Sequence, residues 1–153
     1  MANTYTQLYV QLIFAVQGRL NLIHENIRDE LEKYMCGIVK NNKSKALALF
    51  CNPDHVHFLI GLHPTMSVSD MVREIKSNST SFINDKKWIM GKFCWQDGFS
   101  AFTYSKSQID AVSKYILDQP QHHKKKTFRE EYLDLLKKWE MQYDDRYVFD
   151  FYD

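Results

Sequence analysis

The chain has 153 residues, with 20 Lys and Arg against 19 Asp and Glu, so its net charge of +1 excludes a strongly basic or acidic protein and makes any nucleic-acid affinity a local matter. Hydrophobic residues at 44% and aromatics at 14% exclude a disordered chain and fit one compact domain over residues 1–153, with an acidic, aromatic tail from about residue 141. No apolar run approaches the ~20 residues of a membrane span, MANTYTQLYV lacks a signal-peptide pattern, and Cys36, Cys51 and Cys94 show no CxxC spacing, which together fit a reducing cytoplasm.

In chain order, QLYVQLIFAV alternates Leu8, Val10, Leu12, Phe14 and Val16 against Gln7, Tyr9 and Gln11, the period of a half-buried strand. Ile23, Ile27, Leu31, Tyr34 and Ile38 then recur at helical steps. KALALFC and HVHFLIGL read as two antiparallel strands joined at Asn52-Pro53-Asp54. SVSDMVREIKSNSTSFI reads as a helix capped by Ser67 or Ser69. In FCWQDGFSAFTY, Asp97-Gly98 signals a hairpin between two aromatic-rich strands. Ser105 or Ser107 opens a further helix that ends near Gln119, before Pro120. Thr127 to Glu130 forms a capping box for the last helix, whose face is Phe128, Tyr132, Leu135, Leu136 and Trp139. The order β-α-β-β-α-β-β-α-α begins as a ferredoxin-like (RRM-like) α+β fold, an antiparallel sheet with helices packed on it. Such a fold hosts many functions and decides none.

Within PDHVHFLIGL, strand alternation turns Val56, Phe58, Ile60 and Leu62 to one face and His55 and His57 to the other. Cα atoms two apart on a strand are separated by roughly 6.5 Å, so the two rings can share one metal ion. Two polar rings on a solvated face are the simpler reading of that triplet, although the Pro-Asp turn sets the pair at a sheet rim. Tyr115 and Gln119 are four residues apart on one helix and project from a common side, near the edge of the stripe Ile109, Val112, Ile116. A tyrosine at such a spacing is ordinarily a packing residue.

PDHVHFLIGL resembles the histidine-hydrophobic-histidine (HUH) motif of single-strand DNA endonucleases. Together with VSDMVREIKS, FCWQDGF, YSKSQIDAVSKYILDQ and QHHKKKTFREEY, it resembles the single-tyrosine HUH transposases of bacterial insertion sequences, the insertion-sequence two-hundred type. The similarity runs in register from Leu8 to about Tyr147. It implies an HUH-type fold and a DNA transposase that cleaves and rejoins single strands through a 5′-phosphotyrosine on Tyr115. It further implies a divalent cation, Mg²⁺ or Mn²⁺, held by His55, His57 and Gln119. Single-stranded DNA with hairpin ends would be the partner, and a homodimer would share its active sites between subunits. The chain departs from many relatives in carrying Gln11 where they have a histidine and Asp118 where they have an asparagine.

The chemistry is coherent with these roles. A phenol of pKa near 10 needs activation to attack, and neutral imidazole and amide ligands leave a cation its full charge to polarise a phosphate. Imidazoles alone do not choose the metal, since they suit Zn²⁺ or Ni²⁺ as well. Arg19, Arg73, Lys76 and Lys124 to Lys126 are candidates for phosphate contacts, and Trp95 and Phe99 for base stacking, each with an ordinary surface or core explanation. His122 and His123 lie beyond the helix end and are left out of the metal set. Two other functions fit the same fold: a domesticated or non-catalytic hairpin DNA/RNA-binding regulator, and a zinc hydrolase. The second lacks a third histidine or carboxylate at evident ligand spacing.

Overall fold

The computed structural model describes residues 4–124 and 126–142, so nearly all of the acidic, aromatic tail lies outside the described residues. Four strands form one antiparallel sheet: β1 (Tyr9–Ala15), β2 (Lys45–Cys51), β3 (His55–Gly61) and β4 (Ser100–Tyr104), in the order β2-β3-β1-β4. Helix α1 (Glu25–Asn41) joins β1 to β2, and α2 (Val68–Lys86) joins β3 to β4. This is the ferredoxin-like arrangement with β1 and β3 central. Three further helices follow, α3 (Ile109–Leu117), the single turn α4 (Gln119–His122) and α5 (Phe128–Lys138). No helix among the described residues is long and apolar enough to cross a membrane.

One face of the sheet is a conventional core. Ile27, Leu31, Met35 and Ile38 recur at the period of a helix and give α1 a buried stripe, as Met71, Val72, Ile75 and Ile83 do for α2. Both stripes pack on Leu12, Phe14, Val56, Phe58 and Ile60. Ser67 caps α2 by accepting from the Asp70 amide at 3.0 Å.

The opposite face is covered as well, which corrects the half-buried reading of the first strand: β1 is buried on both sides from Val10 to Ala15. Helix α5, started by the capping box of Thr127 and Glu130, lays Phe128, Tyr132 and Leu136 on Ile13, Ala15 and Phe102. Helix α3 sets Ile116 against Ala48 and Leu59. The histidine face of β3 therefore lies under a second helical layer and not at a wet rim.

The hairpin expected at Asp97-Gly98 is also corrected. Trp95 bridges to Val16, and β4 pairs with Tyr9 to Ile13, so residues 95–104 run along one edge of β1 in one direction. Asp97 to Phe99 bulge out of that edge, with Gly98 at φ 92°. Lys76 on α2 holds the bulge by donating to the carbonyls of Gln96 (2.9 Å) and Gly98 (2.7 Å). Local turn chemistry read correctly as a turn residue, but the edge of β1 took both flanking segments.

Candidate active site

In the β3 register His57 stands opposite Ile13 and His55 opposite Ala15, both on the face beneath α3 and α5. The residues are 0% and 2% exposed, with ring centroids 5.2 Å apart. Each ring is held from behind. His55 donates from Nδ1 to Asp54 Oδ1 at 2.7 Å, and Arg19 grips Asp54 Oδ2 through Nε at 2.9 Å and Nη2 at 2.6 Å. Arg19 occupies the left-handed region at φ 55°, next to Gly18 at φ 68°. The cost of order 1 kcal/mol for that backbone is offset by the ion pair it makes. His57 Nδ1 lies 3.0 Å from the Gln11 side-chain amide, whose oxygen accepts from the Tyr104 hydroxyl at 2.8 Å. Phe128 stacks on the His55 ring at 3.7 Å.

The remaining side chains descend from the helical layer. Tyr115 lies in the last turns of α3, and the helix breaks at Asp118 because Pro120 can enter only the first turn of a new helix. Gln119 then opens α4 fully buried, and His123 follows one turn later. Glu131, in the first turn of α5, is 3% exposed. Its Oε1 lies 3.0 Å from His57 Nε2, 3.7 Å from His55 Nε2 and 3.6 Å from His123 Nε2. Its Oε2 accepts from the Tyr115 hydroxyl and from Gln119 Nε2, the latter at 3.3 Å. Gln119 Oε1 accepts from Asn52 Nδ2 at 3.2 Å and lies 2.9 Å from His123 Nε2. Ligand atoms of His55, His57, His123 and Glu131 all fall within 4.8 Å of one another.

Charge is the organising quantity in so dry a place. Burial pushes the Glu131 carboxyl up, but the surrounding His57 and His55 outweigh it and hold the group well below the usual carboxylate range. Burial likewise opposes ionisation of Asp54, and its contacts with His55 and Arg19 overcome that and bring its pKa down to about 2. The Tyr115 phenol is driven far up, first by burial and then by the charge and hydrogen bond of Glu131. Burial also lowers the His123 pKa. The site thus holds an ionised carboxylate, a protonated phenol and converging imidazoles.

Against this geometry stand the comparisons with known proteins. The model of the family described as "Transposase IS200 like" matches residues 4–119, well over half of the chain. The chain belongs to the IS200-like transposase family. By family it is a transposase, an enzyme that cuts and rejoins DNA. The ISDra2 transposase TnpA of Deinococcus radiodurans is 26% identical over 123 residues, covering 77% of this chain and 86% of that protein. The fold is shared with a crystal structure of a transposase from Deinococcus radiodurans R1, at a TM-score of 0.61 and 24% identity over 76% of this chain and 94% of the other. A REP-associated tyrosine transposase, solved bound to a REP hairpin, matches at a TM-score of 0.59 and 18% identity over 79% and 72%.

The transposase fold brings the four expected site residues together: the ring of Tyr115 is 5.8 Å from that of His57, and Gln119 touches the same carboxylate. It disperses the expected DNA contacts. Arg19 is committed to Asp54 within the site, Lys76 to the bulge carbonyls, and Arg73 is exposed beside Asp70 on α2. Trp95 is a core residue, edge-on to Phe14 and Phe93, with Nε1 donating to Ser79 at 2.9 Å. Sequence reasoning missed Glu131 and set His123 aside. The signal for Glu131 was a carboxylate three residues after Phe128 and four before Leu135, inside the apolar stripe of its helix. For His123 it was the four-residue step Tyr115, Gln119, His123. The third histidine and the carboxylate that spacing did not reveal are thus supplied by the fold. Imidazole nitrogens, a carboxylate and an amide oxygen converging in a dry site are a donor set that fits a divalent cation.

Proposed function

We propose that this transposase cleaves and rejoins single-stranded DNA at insertion-sequence ends through a 5′-phosphotyrosine on Tyr115, with His55, His57 and Gln119 holding Mg²⁺ or Mn²⁺. The observation that carries the reading is the convergence of the Tyr115 hydroxyl, the histidine pair and Gln119 on one buried carboxylate. A bound cation supplies positive charge against the phosphate oxygens as negative charge builds there.

The chain's own groups do the rest. Glu131 Oε2, already accepting from the phenol, orients Tyr115 Oη, and the proton leaves through it to solvent only as the bond to phosphorus forms and acidifies that oxygen. The P–O3′ bond breaks, the departing 3′ oxygen takes a proton from solvent, and the 5′ phosphate stays on Tyr115. In rejoining, a 3′-OH attacks that phosphate and gives its proton to solvent, the bond to Oη breaks, and the phenolate takes a proton from solvent and donates again to Glu131 Oε2. Bond energy is kept in the ester, so no nucleotide cofactor is required. A cavity of about 470 Å³ between α3 and α5 is lined by Gln11, Tyr104, Val112, Tyr115, Lys126 and Lys138, and gives a strand access to Tyr115.

The substrate is single-stranded DNA with hairpin ends, met in the cytoplasm, and of Arg19, Arg73 and Lys76 it is Arg73 that is best placed for a phosphate, because its side chain is 69% exposed. The homodimer belongs to the proposal too. Tyr115 reaches the histidine pair of its own chain here, and exchange of tyrosine helices between two copies would carry it to the other. Cleavage restored by mixing Tyr115→Phe and His57→Ala proteins would demonstrate exchange.

The test is incubation of the purified protein with a hairpin-bearing single-stranded oligonucleotide and Mg²⁺ or Mn²⁺. A covalent protein–DNA adduct and a free 3′-OH fragment are expected, and Tyr115→Phe should bind the oligonucleotide yet form no adduct. Binding with no cleavage under either metal would transfer the protein to the hairpin-binding regulator class.

A further inference from the structure

We infer that Glu131 and His123 are metal ligands in this chain, completing with His55 and His57 a three-imidazole, one-carboxylate site whose carboxylate also holds the nucleophilic tyrosine. The purpose of such a site rests on the function proposed above, but its existence can be measured without DNA.

Spacing is the first argument. Donors that share one cation through bonds of about 2.1 Å stand roughly 3.0–3.6 Å apart. Glu131 Oε1 lies 3.0, 3.7 and 3.6 Å from the Nε2 atoms of His57, His55 and His123, which brackets that spacing.

Ring orientation is the second. His55 donates from Nδ1 to the carboxylate of Asp54, and His123 donates from Nδ1 to the carbonyl of Lys126 at 3.0 Å. In the neutral ring each of these bonds leaves the lone pair on Nε2; in His55 it accepts from Asn52 Nδ2 at 3.1 Å, a bond that ligation would replace. A carboxylate or carbonyl behind the remote nitrogen is how proteins fix the ligating tautomer of a histidine. For His57 the backing group is Gln11. Here Gln11 Nε2 donates to Nδ1 while its oxygen accepts from Tyr104, so His57 turns Nε2–H to Glu131; a cation takes the place of that proton, with the ring charge-neutral in either state.

A third observation comes from Gln119. Its amide is oriented twice over, since Nε2 faces the Glu131 carboxylate and Oε1 accepts from Asn52. That orientation points Oε1 at His123 Nε2 from 2.9 Å. Two lone-pair acceptors at that distance repel, and a cation among them turns the repulsion into ligation. Gln119 Oε1 is then a fifth donor on the same ion.

The consequence is specific to this arrangement. Glu131 spans from the donor cluster through Oε1 to the Tyr115 hydroxyl through Oε2, so the residue that ties α5 to the site also fixes where the nucleophile sits. A set dominated by imidazole suits Mn²⁺ or Zn²⁺ better than Mg²⁺, which favours oxygen ligands and retained water.

The experiment is Mn²⁺ titration of the full chain, free of DNA, read as loss of the free-ion electron paramagnetic resonance signal, with circular dichroism of each metal-free variant as the folding control. Glu131→Gln and His123→Ala should each weaken Mn²⁺ binding at least tenfold, as His57→Ala should, and Mg²⁺ should compete at least tenfold less well than Zn²⁺. Wild-type Mn²⁺ affinity in both Glu131→Gln and His123→Ala, with loss in His57→Ala, would overturn the inference and leave the proposed function standing on the smaller ligand set. Absence of Mn²⁺ binding by the wild-type chain would overturn it as well. Should Glu131→Gln not fold, His123→Ala decides alone, since that side chain is only half-buried. Adduct formation on the hairpin oligonucleotide, run on the same preparation, judges the proposed function separately: tight Mn²⁺ binding that depends on Glu131 and His123 without any adduct would sustain the ligand assignment and reject the reaction.

Discussion

The two faces of the sheet are built from the same strands and do opposite work. On the α1/α2 face, β3 contributes Val56, Phe58 and Ile60 to an apolar core. On the α3/α5 face the same strand contributes His55 and His57 beside Leu59, and every polar atom needs a partner supplied by another element. Burial is similarly deep on both. What differs is the origin of the stabilisation: dispersion and water exclusion on one side, a closed network of directed charges on the other. The lesson is that the active face is not a hole left in the core but a second core in which polar groups satisfy one another.

That contrast can be broken by paired substitutions. His57→Gln keeps much of the side-chain volume and should leave the fold in place while cleavage of the hairpin oligonucleotide falls on the order of a thousandfold, about 4 kcal/mol of barrier. Phe58→Ala, one residue away on the other face, should do the reverse: about 3–5 kcal/mol of stability lost in urea unfolding, with cleavage per folded molecule nearly intact. If the two substitutions affected stability and cleavage alike, the division of labour between the faces would be wrong.

A weaker lever is pH. The carboxyl of Asp54 is held at about 2 in the folded chain against an ordinary value of 3.8, so its contribution is fully present above about pH 4 and is lost as pH falls through 4 toward 2. The expected loss is roughly 2 kcal/mol. Asp54→Asn should flatten that part of the acid-unfolding curve, whereas Phe58→Ala should lower the whole curve without changing its slope there.

The smallest effect is expected outside both cores. Arg73→Ala on the exposed side of α2 should weaken hairpin binding a few-fold and reduce the slope of log affinity against log salt by about 0.7–0.9. An unchanged slope would remove Arg73 from the DNA surface.

How much of this was legible beforehand follows from how far each signal reaches along the chain. The alternation in HVHFLI and the step from Tyr115 to Gln119 are local, and each pair was legible by itself; the fold sets the two pairs beside one carboxylate. Burial of the histidine face was not local. Strand periodicity shows two faces but not that α5, some seventy residues later, covers the second one. Glu131 is an acidic residue of the kind a helix N-terminus favours, and only the docking of α5 over β3 brings it to the histidines. The Asp97-Gly98 reading failed for a related reason: a turn signal says that the chain bends, and not which strand edge waits on the far side.

The most direct test of the central claim is to map the covalent bond. Digestion of the DNA adduct with nuclease and trypsin, followed by mass spectrometry, should find the nucleotide remnant on the peptide from Tyr115 to Lys124, attached through the tyrosine oxygen. A remnant on the peptide that carries Tyr104 or Tyr132, or an adduct undiminished in Tyr115→Phe, would contradict the account.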